Sequence, residues 1–384
     1  MTDVLTDVLT DVLTDATTGS TTGSRAGAPT DVLIVGSGPT GLTLACDLAL
    51  RGAVVRVIDQ RSEPHHESRG KGLRQSSLDI FRRLGVAESL TAIGDGEVVL
   101  RKYFDGEHIN DTPAGGTGIL IGQWQIEAAL RERLAGLGVT VEYGARLADI
   151  TQDAAGVRAE LADGGVIAAR YLAGCDGGRS TTRKLLGIPF EGSTEAEPAM
   201  VVGDVRAPGL SRDHWHQWFT SEGGGTMLCP MPGTDTFQLQ ASPETDEHGQ
   251  LLPPSLESFQ RLFDRHARMP EIRLTDATWL STWRVNVRVA GRLREGRAFL
   301  AGDAAHVHPI AGGLGMNTGI EDAAALARTL GAALAGQNGE EVLDTYQSER
   351  LPAATEVVAD TARRYERVLE AVRTPGRGIE AGLE

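Results

Sequence analysis

Cysteine, positive charge and long apolar runs are all scarce in this chain, and each shortage argues against a class of protein. Only Cys46, Cys175 and Cys229 occur in 384 residues, far apart and without a C-x-x-C pair. A disulfide framework or a structural metal is therefore not expected, and the three read as small core residues in a reducing cytoplasm. Lysine and arginine total 37 against 52 acidic residues, a formal charge of −15. With no basic run to neutralise phosphates, nucleic acid is not an expected partner. No uninterrupted apolar stretch is long enough to span a bilayer, so a soluble protein without a membrane partner is expected. No hydrolase triad stands out. His306 and His308 are close together, but no third ligand is spaced to complete a metal site, and His306 is expected to be a packed histidine.

Residues 1–29 differ from the rest. Thr-Asp-Val-Leu fills 2–5, 6–9 and 10–13 before Thr, Gly and Ser take over. The repeat is acidic until Arg25, unlike a signal or transit peptide. Its residues cannot bury enough to fold, so a disordered low-complexity tail is expected.

What the chain has is glycine in telling places. Asp31-Val32-Leu33-Ile34-Val35 runs into Gly36-Ser37-Gly38-Pro39-Thr40-Gly41, and an apolar helical pattern follows from Leu42 to Leu50. A buried strand, a glycine turn and a helix N-terminus in that order hold a dinucleotide pyrophosphate. Gly36 permits the turn, Gly38 removes a side chain where phosphate approaches, and Gly41 allows close helix packing. The helix N-terminus offers N–H groups and positive dipole to the anion. The strand at 54–58 ends at Asp59, placed to accept ribose hydroxyls.

Beyond it, helices are predicted over 75–84 and 124–137, with glycine-broken strands over 95–120. From about 183 to 284 the texture changes. Alternating segments at 199–205, 214–220, 226–229 and 237–241 suggest an antiparallel sheet with one covered face, backed by a helix over 255–267. The helix–strand rhythm returns at 297–303 and continues into an Ala-rich helix over about 317–334. The fold expected is α/β, a nucleotide-binding parallel-sheet domain interrupted by an antiparallel insertion.

Three further motifs carry a family resemblance. Gly174-Cys175-Asp176-Gly177-Gly178-Arg179-Ser180-Thr181-Thr182-Arg183 resembles the Asp-Gly motif of class A, single-component flavoprotein aromatic hydroxylases, the para-hydroxybenzoate-hydroxylase-like family. Gly302-Asp303-Ala304-Ala305-His306, followed by Pro309 to Gly319, resembles their Gly-Asp motif and flavin-facing loop. Thr345-Tyr346-Gln347-Ser348-Glu349-Arg350-Leu351-Pro352 is similar to the family's Tyr-x-x-Glu-Arg-x-Pro ending, and the resemblance covers about residues 31 to 360.

The resemblance implies a Rossmann-like FAD-binding domain built from 30–97, 118–182 and 285–336, a substrate domain from 98–117 and 183–284, and C-terminal helices over 337–384. It implies FAD held by Gly36, Gly38, Pro39, Thr40, Gly41, Asp59, Arg69, Gln123, Asp176, Gly302, Asp303, Pro309, Gly313, Gly315, Met316 and Asn317. Asp303 would take the ribityl hydroxyls, and the helix beginning near Asn317 would aim its positive end at the reduced ring. The local sequence also allows plainer roles: a helix N-cap for Asp303, turn chemistry for Asp176, a surface charge for Arg69 and a helix-start polar residue for Gln123.

The activity implied is hydroxylation of an aromatic or polyketide-type molecule, with NADPH or NADH as transient reductant and dioxygen reacting through a flavin 4a-hydroperoxide. Trp215, His216, Trp218 and Gln238 are substrate-pocket candidates, His216 as the catalytic base for a phenol. Asp59 stands where the family favours glutamate, and Leu314 where glutamine or lysine is commoner. The family's thioredoxin-like C-terminal domain is not expected, and a monomer or homodimer is. The alternative is a flavin scaffold with a non-redox role, such as a cyclase in natural-product biosynthesis. An NAD-binding regulatory module is a third reading, weakened because the Asp176 and Asp303 motifs would then have no purpose.

Overall fold

The computed structural model describes residues 29–114, 118–309, 313–337 and 339–373. The tail at 1–29 thus lies outside the described residues except for Pro29, as do Ile310 to Gly312 of the glycine loop.

The chain opens with β1 (Thr30–Val35), α1 (Pro39–Leu50), β2 (Val55–Asp59), β3 (Lys71–Arg74), α2 (Gln75–Leu84) and α3 (Ala87–Ile93). A hairpin of β4 (Val99–Phe104) and β5 (Glu107–Pro113) precedes β6 (Gly118–Gly122) and α4 (Gln123–Gly136). Next come β7 (Val141–Tyr143), β8 (Leu147–Gln152), β9 (Val157–Leu161), β10 (Val166–Gly174) and α5 (Thr181–Leu185). The insertion holds β11 (Phe190–Arg206), β12 (His214–Phe219), β13 (Gly225–Pro230), β14 (Phe237–Ala241), α6 (Leu256–Ala267) and β15 (Thr275–Ala290). The chain returns through β16 (Arg294–Glu295), β17 (Ala298–Leu300), a 3-10 turn at Gly302–Ala304, β18 (His306–Val307), α7 (Gly315–Leu334) and α8 (Glu340–Arg373).

The first sheet runs β16-β17-β10-β1-β2-β7, and the pairs β17/β10, β10/β1, β1/β2 and β2/β7 are parallel. Its central strand β1 is apolar on both faces because both are covered. Val32 and Ile34 pack into the core with Leu42, Leu44 and Leu48 of α1 and with Ile320 and Leu326 of α7. Leu33 and Val35 pack oppositely with Leu147, Val157 and Ala159 of the β8–β9 meander.

The second sheet runs β18-β15-β11-β14-β13-β12-β4-β5, antiparallel except for the β12/β4 pair. One face is closed by α6, which starts where Ser255 and Ser258 each accept the other's backbone N–H. Phe259, Leu262 and Phe263 of α6 fill the layer with Val205, Trp218, Leu228, Phe237 and Leu239. Truncating either buried phenylalanine to alanine costs about 3–5 kcal/mol.

Two boundaries differ from expectation. The division at 284/285 falls inside β15, a 16-residue strand of the second sheet that pairs with β11 and, near its end, with β18. The described part of the C-terminal segment is one 34-residue helix with Pro352 inside it, not several helices.

Candidate active site

The three glycine motifs end three adjacent parallel strands. In the register, Val35 of β1 pairs with Gly174 of β10, and Gly174 with Leu300 of β17. Crossovers leave β1 in opposite directions, toward β2 and toward β10, so the crevice opens where open α/β sheets bind ligands. Gly36 has φ +105°, and a Cβ there would collide with the Cys175 carbonyl. Gly302 has φ +61°, and a Cβ on it would come within 2.5 Å of Thr40 Oγ1. A Cβ on Gly319 would strike the same hydroxyl. Thr40 thus joins the first turn of α1 to the 302–304 turn and to α7.

At the β1 turn, Gly38 caps α1 with extended backbone, no side chain caps the helix, and Pro39 occupies its first turn. Nothing lies within 4 Å of where a Gly38 Cβ would point. The helix N-terminus is therefore open to an anion. Gly41 packs against the Gly36 carbonyl, where no side chain could fit.

Several motif residues prove to be committed to the protein itself. Asp59 accepts five hydrogen bonds, from the Ser37 amide and hydroxyl and from three Arg61 nitrogens. Burial opposes its charge, but Arg61 and the Ser37 backbone override this and hold the carboxyl at about 2. A ribose would meet this Asp59–Arg61 pair instead of a bare carboxylate, which corrects the sequence expectation. Asp176 accepts from Ser180 Oγ at 2.5 Å and from Thr182 N and Oγ1 at 2.9 and 3.0 Å. Three of a carboxylate's roughly four acceptor positions serve its own turn. Arg183, buried beside it, donates to the carbonyls of Ala304 and Gly178 and so ties this turn to the 302–304 turn.

Asn317 also turns inward. Its Oδ1 accepts from Arg74 N and Ser77 Oγ, and its Nδ2 donates to the carbonyls of Gly72 and Gly313. Its side-chain amide pins β3 and α2 to the first turn of α7, so direct contact between that amide and a cofactor is corrected to a shaping role.

The Gly302 corner holds the sharpest contrast. Asp322 of α7 accepts from Gly302 N at 3.0 Å, His306 Nε2 at 2.6 Å and Arg350 Nε at 2.7 Å. Burial works against both charges, yet the ion pair raises the His306 imidazole and, with Arg350, lowers the Asp322 carboxyl. Asp303 is exposed, and among the described residues no group donates to it. Its side chain is reachable from outside, yet the surrounding protein raises its carboxyl, opposed by nearby His306 and His308.

On the crevice wall, Gln123 donates its backbone N–H to the Gly70 carbonyl and its Nε2 to Glu127. A Cβ on Gly70 would lie 3.0 Å from Gln123 Oε1 and 3.6 Å from Met316 Sδ, so these three meet. Arg69 is exposed and pairs with Glu67 at 3.4 Å. Pro309 is buried, while Gly313 is exposed with φ +60° and nothing within 4 Å of its Cβ direction. No side chain caps α7, which starts at Gly315.

The substrate-pocket candidates divide by strand alternation. His216 and Trp218 face α6. Their rings stack at 5.2 Å, Trp218 meets Phe263 edge-on, and His216 Nε2 bonds the Ser211 carbonyl. Both are thereby corrected: neither faces the crevice, and burial lowers the His216 imidazole. Trp215 and Gln238 face the first unit, where Lys71 Nζ lies 4.3 Å from the Trp215 ring centroid and donates to Gln238 Oε1 at 2.5 Å. Lys71, Asp204, Arg61 and Asp322 were missed from the sequence. Lys71 alone carried a signal, as a lysine between two glycines directly after Arg69.

An FAD fits this arrangement: two helix N-termini without side-chain caps, an acceptor carboxylate between them, and glycines whose Cβ directions are open. The fold and site define a dinucleotide-binding α/β flavoprotein. The profile of the FAD binding domain family matches residues 29–361, and the chain belongs to that family. It is 38% identical over 349 residues to a flavin-dependent monooxygenase of Mycobacteroides abscessus, covering 85% of this chain and 72% of the relative. The solved structure of the flavin-dependent monooxygenase PieE with FAD and substrate matches with TM-score 0.81 at 25% identity, over 93% of this chain and 67% of the other. The Diels-Alderase PyrE3 of pyrroindomycin biosynthesis matches with TM-score 0.71 at 31% identity, over 92% and 78%. The protein is an FAD-dependent monooxygenase by this kinship.

Proposed function

We propose that this protein hydroxylates an aromatic or polyketide-type small molecule with NADPH or NADH and dioxygen, in the cytoplasm. The observation that carries the reading is Asp303, an acceptor without a protein donor among the described residues, set between two helix N-termini that no side chain caps. Bound FAD would supply the electron transfer and oxygen activation that no side chain provides.

The chain's own residues do the rest. The N–H groups after Gly38 take the pyrophosphate, and the Asp59–Arg61 pair meets the adenosine end. Asp303 accepts the ribityl hydroxyls. The N-terminus of α7, held by Asn317, sets positive dipole against the ring. Arg69 and Gln123 line the cofactor's path. The second sheet lays Trp215 and Gln238 over this floor and excludes water from the reacting carbon. The parallel-sheet segments form the cofactor domain, with β15 shared across the expected boundary.

A second reading, a ring-forming reaction on a flavin scaffold, draws support from the likeness to PyrE3. Anaerobic turnover separates the two. Purified protein is expected to be yellow, to be bleached by NADPH with substrate, and to give no product without dioxygen. Normal yield without dioxygen would promote the scaffold reading.

A further inference from the structure

A half-buried ammonium with unused donors sits where the two units meet. Lys71 lies between Gly70, which touches Met316 and Gln123, and Gly72, whose carbonyl accepts from Asn317. Its backbone therefore belongs to the floor on which the cofactor is proposed to lie, while its side chain crosses to the second sheet. There Nζ donates to Gln238 Oε1 and lies against the Trp215 ring. An ammonium has three protons to donate. Among the described residues no carboxylate forms an ion pair with it.

The ammonium is also held in place. Asp204 Oδ2 accepts from Ser68 N at 2.9 Å, and Gln238 Nε2 donates to the Ser68 carbonyl. Gln240 Nε2 donates to Gln238 Oε1 at 3.0 Å. Gln238 is thus a strut between the sheet and the 68–71 segment. Burial lowers the Lys71 value, opposed by the facing groups Cys229 on β13 and Asp204 on β11. Lys102 of β4 shares this sheet face beside Gln217. A buried cation without a paired anion is costly, and an anion supplied by a ligand relieves that cost.

We infer that Lys71 receives the ionised hydroxyl of a phenolic substrate and makes the site selective for phenols that bind as phenolates. The inference rests on the monooxygenase reading. The hydroxyl O–H breaks, and its proton goes to Nζ when the amine is neutral or to water when it is already charged. Either way an ammonium–phenolate pair results, with the aromatic ring beside Trp215. The phenolate's carbons are then electron-rich toward an electrophilic oxygen. His216, the sequence candidate for this task, lies on the other side of the sheet.

The test uses FAD-loaded protein and pentafluorophenol, whose ¹⁹F shifts separate phenol from phenolate. Wild type should bind the probe as phenolate at a pH where free probe is still partly protonated. Lys71→Met should weaken binding roughly 10- to 150-fold and abolish that shift in ionisation, at unchanged FAD content. Lys71→Arg should restore part of both, and Lys102→Met should leave both as in wild type. The inference falls if wild type does not bind the probe, if Lys71→Met binds it equally tightly and equally ionised, or if only Lys102→Met has an effect. Failure of wild type to bind FAD would instead overturn the monooxygenase reading itself.

Discussion

Asp322 and Asp303 stand at the same corner and are treated oppositely. Asp322 is 1% exposed and accepts from Gly302, His306 and Arg350, so its charge is fully used in holding the corner together. Asp303, next to Gly302, has no donor among the described residues and faces the crevice. The same contrast runs through the site, with Asp59, Asp176 and Asn317 engaged by the protein and Asp303 and Lys71 holding capacity in reserve. A residue inside a motif is thus either an internal brace or a ligand contact, and its hydrogen-bond partners decide which.

The largest test of this contrast is Asp322→Ala. It strands the buried His306 and leaves Arg350 only Glu321 at 3.5 Å, and should cost about 3–5 kcal/mol of stability, read by urea unfolding. An unchanged midpoint would remove Asp322 from the frame of the site. Asp303→Ala should do the reverse, weakening FAD binding roughly 10- to 150-fold, worth about 1.5–3 kcal/mol, while unfolding without FAD stays put. Equal FAD affinity in titrations of both proteins would deny Asp303 its role.

Asp59 comes next. Its folded value, about 2, lies below the ordinary carboxylate value. The stabilisation is therefore present above that ordinary value and lost as pH falls toward 2. Asp59→Asn should remove about 2 kcal/mol at neutral pH and flatten the acid limb of the stability profile. The smallest effect separates two glycines. Gly313, at φ +60°, should lose about 1–2 kcal/mol as valine in the free protein. Gly315, whose Cβ direction meets only His308 at 3.6 Å, should lose almost nothing until FAD is added. Equal melting of the two free variants would refute the distinction.

The corner itself was legible because glycine turns after apolar strands are local signals, and Gly36 and Gly302 do adopt positive φ. Which side of β12 faces the crevice was not. Trp215, His216, Gln217 and Trp218 alternate across a strand with protein on both sides, and polarity does not distinguish the faces there. β15 was missed although Ala277, Trp279, Ser281, Trp283 and Val285 alternate cleanly, because the long strand shares its polar residues with the look of a linker. Asp322 gave no signal at all, since the Glu321-Asp322 pair at the start of an Ala-rich helix reads as solvated charge until the fold brings His306 and Arg350 to Asp322.

The corner around Thr40 has a consequence for how the molecule comes into being. Its first part, the turn after β1, is made at the start of the folded region; its last, Arg350, some three hundred residues later. At ordinary translation speeds that interval is roughly 15 to 60 s. Within it, β1 waits for β10 until residue 174 is made and for β17 until residue 300, and Thr40 has no Gly302 to rest against before then. A nascent chain therefore has the phosphate turn long before it has the pocket. The braces that Arg350 supplies to Asp322 are the last part of the pocket to be made.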